Sequence, residues 1–197
     1  YVKFETNNGE TYGNGVWVEN IGPSLKYVWD YDTLPHILIR QSDGTFLVKR
    51  GDGVTPTTGV PVGADYSLFK FTPREVGSDL TNPVPSFEGS SIRDISFFKN
   101  RLAFVSGEGC IFSEAGEYFN FFRTTVTQLL DTAPIDIAAG GTEINKIDSA
   151  IPFSNRLILF STRTQFSVQG ETILSPSTAS ITQVTNFDVV TTIPPLS

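Results

Sequence analysis

The 197 residues carry 21 acidic and 14 basic side chains, a formal charge of −7, and 39% are hydrophobic, including 16 Phe and 6 Tyr. So much apolar surface excludes global disorder. The acidic balance excludes a sequence-independent nucleic-acid binder, which needs surplus Lys and Arg to displace counterions from phosphates, and a polybasic membrane-surface protein.

No apolar run reaches the length of a membrane span, and the single cysteine, Cys110, leaves no intrachain disulfide. The chain holds no methionine, begins at Tyr1 inside an expected strand and stops at Ser197 after two prolines. It is therefore expected to be a piece of a longer protein.

In chain order, short β-branched or aromatic runs alternate with turn residues, the punctuation of an all-β fold. Val2 to Thr6 and the run through Val16-Trp17-Val18, joined across Asn7-Asn8-Gly9, predict a hairpin. His36 to Arg40 and Phe46 to Lys49, joined by Ser42-Asp43-Gly44, predict a second. Asn-Gly and Asp-Gly suit such turns because they tolerate positive φ. Gly51 to Asp65 has no period and reads as a mobile surface loop or insertion, and Val76 to Ser91 as a second irregular stretch. Arg101 to Ser106 and Cys110 to Ser113, across Gly107-Glu108-Gly109, predict a third hairpin. Only Thr125 to Leu130, ended by Ala133-Pro134, invites a helix. From Ser175 onward, alternating Thr and apolar residues predict one or two further strands.

An internal repeat is visible. Phe98 to Ser106 (FKNRLAFVS) matches Phe153 to Ser161 (FSNRLILFS) at an offset of 55 residues. In each copy an Asn-Arg pair precedes an apolar strand, a turn and another strand, the second copy continuing into Gln165 to Val168. A unit of this size is a small antiparallel sheet that cannot bury both faces alone, so units must stack. The expected fold is all-β, with antiparallel blades in a propeller-like arrangement or, alternatively, a β-sandwich. Residues 1–33 are expected to form N-terminal strands that can belong to a neighbouring unit. Residues 34–174 form the propeller-like domain with a loop insertion near 51–65, and 175–197 are C-terminal strands leading onward.

Candidate site residues have bland readings that outweigh the chemical ones. His36 lacks a positioned partner for general-base work, and no nucleophile-elbow pattern occurs. Cys110, among Ile111 and Phe112, reads as a buried hydrophobe. One His and one Cys make no metal cluster. Glu114 with Glu117, Asp30 with Asp32, and Asp131 with Asp136 are carboxylate pairs of the kind a glycosidase needs. Among 21 acids such pairs arise by chance, and surface solvation, or Asp136 capping a turn beside Pro134, explains them. Arg50-Gly51-Asp52 spells an adhesion tripeptide but reads as turn chemistry. Phe97-Phe98 and Tyr118 to Phe122 lack the interleaved basic residues of a base-stacking surface. If Tyr118 to Phe122 is extended, apolar residues fall on both its faces and imply burial between layers. Asn100 and Asn155 are expected in turns, and Arg101 and Arg156 in equivalent ion pairs with acids on neighbouring strands.

One resemblance draws these strings together. Asn82-Pro83-Val84-Pro85-Ser86-Phe87 leads through Phe97-Phe98-Lys99-Asn100-Arg101-Leu102 to Ser113-Glu114-Ala115-Gly116-Glu117-Tyr118-Phe119-Asn120-Phe121-Phe122 and then Pro134-Ile135-Asp136-Ile137-Ala138. In this order they resemble the central region of the tail tubular protein B, or tail nozzle, family of short-tailed bacteriophages. Leu34-Pro35-His36 with Asp43-Gly44-Thr45-Phe46 upstream, and Val184-Thr185-Asn186-Phe187 downstream, extend the match. Gly51 to Asp65 fits no part of it.

The resemblance implies a structural virion protein of the tail, not an enzyme, with no cofactor, metal or membrane span. Such subunits are implied to form a ring, a hexamer, below the portal, contacting the head–tail adaptor protein and tail fibres. Double-stranded DNA would pass through without specific binding during genome ejection. The alternatives are a glycan-binding or glycan-degrading tailspike-like domain and a propeller scaffold from another virion component.

Overall fold

In the computed structural model the described residues are 1–25, 28–56, 65–140, 145–169, 173–190 and 195. The part of the Gly51 to Asp65 expectation that falls on residues 57–64 lies outside them. Among the described residues all regular structure is β, in four small antiparallel sheets with no closed barrel. No helix occurs among the described residues, hence none long and apolar enough to cross a membrane. The chain divides into two compact units, one of Tyr1–Lys26 with Arg74–Ser197, the other Tyr27–Pro73.

The smaller unit holds the hairpin β3 (Ile37–Arg40) and β4 (Phe46–Lys49), in the register Leu38↔Val48 and Arg40↔Phe46. Asp43 shapes its turn by accepting hydrogen bonds from the Thr45 amide (2.9 Å) and hydroxyl (2.7 Å). In the same unit Trp29 is buried, its ring edge-on to Phe71 at 6.3 Å and its indole N–H donating to the Thr72 carbonyl at 2.7 Å.

The larger unit opens with the hairpin β1 (Val2–Thr6) and β2 (Gly15–Glu19). Two four-stranded meanders follow. The first runs β5 (Ile92–Phe98), β6 (Arg101–Ser106), β7 (Gly109–Phe112) and β8 (Ile135–Ala138). The second runs β9 (Ile147–Phe153), β10 (Arg156–Ser161), β11 (Gln165–Gln169) and β12 (Ser180–Thr185). Each sheet keeps chain order across its width. The internal repeat is thus structural: Ile92 and Ile147 begin, and Phe98 and Phe153 end, the first strand of each meander. The turn Phe98 to Arg101 has positive φ at both Lys99 (47°) and Asn100 (59°), as a two-residue hairpin matching strand twist requires. In the second copy only Ser154 (φ 53°) is left-handed, and Asn155 is not.

The two sheets share one core. Ala103, Val105, Cys110, Phe112 and Ile135 of the first face Ile147, Ala150, Leu157, Leu159, Phe166 and Val168 of the second. The first strands, β5 and β9, lie closely side by side, whereas the last, β8 and β12, barely touch. The Asp94 carboxylate accepts the Ala150 amide at 2.7 Å, and Arg93 pairs with Asp148 at 3.0 Å. Both contacts fasten the close edge.

Two local expectations fail. Thr125 to Leu130 is not helical, because Glu19 takes the N–H groups of Val126 (2.9 Å) and Thr127 (3.2 Å) and the Thr125 hydroxyl (2.7 Å) into a carboxylate clamp. A run rich in β-branched residues has little helix propensity to set against that. Nor is Tyr118 to Phe122 extended. It folds into tight turns closed by Glu117 N–H to Glu114 O (3.2 Å) and Asn120 N–H to Glu117 O (3.1 Å), which the left-handed Gly116 (φ 84°) permits.

Leu159 is fully buried and Phe153, six residues earlier, is 69% exposed. Leu159→Ala should lower unfolding free energy by about 2–5 kcal/mol through transfer and cavity terms. Phe153→Ala should stay within about 0.5 kcal/mol. Urea denaturation of both variants reads the contrast.

Candidate functional site

The strings that made the sequence distinctive converge on one side of the first meander. Arg101 opens β6, and its side chain is 1% exposed. A buried guanidinium must find acceptors for its donors or cost several kcal/mol in lost solvation. Here Nη1 donates to the carbonyls of Ser113 (2.7 Å), Ala133 (2.8 Å) and Thr132 (3.1 Å), and Nη2 to those of Asp131 (2.7 Å) and Leu174 (3.1 Å). Nε has no partner. Burial pushes the guanidinium pKa down, and the negative charge of Glu114 pulls it back up. The expected ion pair is therefore replaced by a cage of backbone carbonyls. Arg156, at the matching repeat position, is exposed and forms no ion pair among the described residues.

The excursion from Ser113 to Pro134, which Arg101 grips, is tied down by further polar side chains. Glu114 is buried and accepts from the Asn120 amide group at 2.7 Å. Asn82, 2% exposed, donates to the carbonyls of Val76 and Arg123 (both 3.0 Å) and accepts the Arg123 amide at 2.9 Å. Asp136, expected to cap a turn beside Pro134, instead receives the amide (2.8 Å) and hydroxyl (2.7 Å) of Ser86, fifty residues away. Arg74 is buried against Phe122, with its guanidinium 5.9 Å from the ring centroid, and pairs with Asp79 at 2.6 Å.

Beneath these bonds lies an aromatic cluster. Phe121 stacks on Phe104 at 4.8 Å, and Phe87 meets both edge-on at 5.2 Å. These offset and edge geometries favour aromatic pairs beyond their buried area. Tyr118 lies edge-on to Phe97 at 5.3 Å and donates its hydroxyl to Asn100 Oδ1 at 2.8 Å. Asn100 also accepts the Gly116 amide through its carbonyl, at 2.9 Å. The side-chain roles of Asn82, Ser86 and Glu114 escaped the sequence reading. Their only signal was membership of the distinctive strings.

The remaining candidates stand apart. His36 Nδ1 donates to the Leu34 carbonyl at 3.1 Å. The Cys110 thiol is wholly buried, which pushes its pKa up, an effect reinforced by the Asp136 and Asp94 charges. Asp30 accepts the Asp32 amide at 3.2 Å, while Asp32 pairs with Arg50 at 2.9 Å. Asp52 of the adhesion-like tripeptide is held by Lys49 at 2.7 Å and by the Val54 amide at 3.0 Å. Gly51 is required because an added Cβ would meet the Phe71 ring at 2.5 Å. Glu114 is buried and its would-be partner Glu117 exposed. Asp131 contributes its carbonyl to Arg101, not its carboxylate. No three His, Cys, Asp or Glu side chains converge as metal ligands would, among the described residues.

The polar residues of the site bond to backbone and to one another, the pattern of an all-β structural protein whose side chains fix loops. The comparisons name the class more closely. A profile of the bacteriophage nozzle protein family matches residues 1–197, and the chain belongs to that family. It is 35% identical over 174 residues, 88% of this chain, to tail tubular protein gp12 of Escherichia phage T7. The chain spans 20% of that relative's length. It is accordingly a structural component of the phage tail and so of the virion. The tailspike-like glycan alternative finds no support in either match.

Arg101→Met should cost at least about 3 kcal/mol, since it leaves several buried carbonyls without donors, whereas Arg156→Ala should change stability by less than about 0.5 kcal/mol. Thermal or urea unfolding of the two variants tests the asymmetry. A second test concerns Glu19, whose pKa is held down to about 2 by the bonds from Thr125, Thr127 and Val126. A depressed carboxylate stabilises the fold above its unfolded pKa and ceases to do so as pH falls through the folded value. The stability gap between wild type and Glu19→Gln should therefore be full at pH 6 and shrink steadily below the ordinary carboxylate range toward pH 2.

Proposed function

We propose that this chain forms part of the wall of a phage tail tube, a conduit that lets double-stranded DNA leave the capsid without holding it. The observation that carries this reading is the fate of the cations. Among the described residues Lys49, Arg74 and Arg101 are buried, against one buried acid, Glu114. The solvent-facing balance is thus more acidic than the formal −7. A surface on which acids outnumber Lys and Arg gains little by releasing counterions from phosphates, so DNA passing it is weakly held.

The two stacked meanders favour blades of a propeller-like region. Their first strands lie close and their last diverge, which is the wedge form that radial stacking produces. A ring of copies, sixfold as the family resemblance implies, would enclose the channel, with the head–tail adaptor protein above and tail fibres outside. Within that assembly the chain works mechanically and electrostatically, with no catalytic step.

Electron microscopy of the intact tail should show these meanders in a sixfold ring, with exposed carboxylates outnumbering Lys and Arg on the lumen side. A lumen lined mainly by Lys and Arg would overturn the electrostatic part. Shortening of host polysaccharide by the purified chain would overturn the non-catalytic part.

A further inference from the structure

The larger unit contains a cavity of about 270 Å³, walled by Pro83, Pro85, Phe121, Leu129, Pro134 and Ile135, with Arg123 at its side. Ile135, Asp136 and Ile137 all line it. Side chains alternate faces along a strand, so three consecutive residues can share one cavity only where it opens at the strand's edge. β8 is such an edge, paired among the described residues with β7 on one side alone. Ala139 donates its amide to the Glu108 carbonyl at 2.9 Å. By the alternation of an antiparallel ladder the backbone groups of Asp136 and Ala138 then face away from β7. Unpaired strand edges accept extended polypeptide, with alternate side chains entering adjoining pockets. Arg123 forms no ion pair among the described residues. The site therefore asks for an extended segment with an apolar residue beside a carboxylate.

The chain itself presents one. Beyond β12, Phe187 is 70% and Val190 68% exposed, and Asp188 between them is exposed. Gln165 pins the backbone of this segment, donating to the Phe187 carbonyl at 2.9 Å and accepting its amide at 3.3 Å, and Val189 donates to the Thr162 carbonyl at 2.9 Å. The backbone of the segment is thus ordered while the Phe187, Asp188 and Val190 side chains stay exposed, so little entropy remains to be lost on docking.

We propose that the β8 cavity receives the Asn186–Val190 segment of a second copy of this chain, Phe187 entering the apolar cleft and Asp188 pairing with Arg123. Cavity and segment are different surfaces, so the contact is heterologous and propagates into a ring when its rotation closes. The proposal rests on the ring reading above and names the surfaces that make the ring.

The test is sedimentation velocity of the purified chain with charge-reversed variants, their folding verified by circular dichroism. Wild type should assemble. Arg123→Glu and Asp188→Arg should each weaken association at least tenfold, and the double variant should restore it. A fluorescent peptide spanning Thr185 to Val190 should bind the Asp188→Arg variant and not the Arg123→Glu variant. Assembly of wild type and both single variants alike would remove this contact while leaving the ring standing. A wild type that stays monomeric would overturn both. Peptide binding indifferent to Arg123, or an Arg123→Glu variant that assembles normally but loses a different tail protein, would give the cavity to another occupant and overturn the proposal.

Discussion

Burying Arg101 is the constraint from which most of the larger unit follows. A guanidinium in a low-dielectric interior loses hydration worth several kcal/mol and recovers it only through close, well-directed acceptors. The acceptors here are carbonyls of Ser113, Asp131, Thr132, Ala133 and Leu174. They belong to the end of one strand, the return of a long excursion and the connection between β11 and β12 of the second meander. Of these carbonyls only that of Thr132 also takes a backbone amide, from Ala115 at 3.0 Å, among the described residues. The charge fixes their positions, since each carbonyl must approach within hydrogen-bond distance for the burial to be tolerable. The orphaned Nε shows that the cage favours Nη1 and Nη2, the two groups that reach separate segments.

That requirement also explains why the two repeats diverge. β6 and β10 share the Asn-Arg-Leu start, and both central strands bury alternate apolar residues in the common core. Only the first meander sends a long excursion, Ser113 to Pro134, back over its outer face. There the Phe87, Phe104 and Phe121 cluster needs a cover, and Arg101 supplies the bonds that hold it. In the second meander the corresponding arginine has no excursion to grip and lies in solvent. The repeat therefore preserves strand geometry, which the hairpin turn and apolar alternation enforce, and not the latch.

Legibility in the sequence divides along the same line. Hairpins were readable because their causes are local: an Asp43 that shapes its own turn, a Lys99-Asn100 pair able to take positive φ, strands with apolar alternation. The offset between repeats was readable for the same reason. The latch was not, because its partners are far apart in sequence: Asn82 with Arg123, Ser86 with Asp136, Glu19 with Thr125. Equal Asn-Arg pairs suggested equal ion pairs, yet an arginine's partner depends on what covers it. Tyr118 to Phe122 had the apolar density of a buried strand. Gly116 and the Asn120 side chain, which accepts the Phe122 amide at 3.0 Å, fold it into turns. Both Phe121 and Phe122 are buried all the same, so its burial was legible and its backbone was not.

The stability of the fold and its outward chemistry are then one problem. Loops held by backbone hydrogen bonds alone would be soft, and the long excursions here carry no ladder. Cationic side chains are suited to fastening them, because a guanidinium offers several donors to carbonyls on separate segments at once. Each cation taken inside leaves the surface more acidic. A protein that had to grip phosphates could not withdraw its arginines in this way without losing affinity. On the proposed reading, a protein beside which DNA must slide loses nothing by it, and gains loops firm enough to hold a wall.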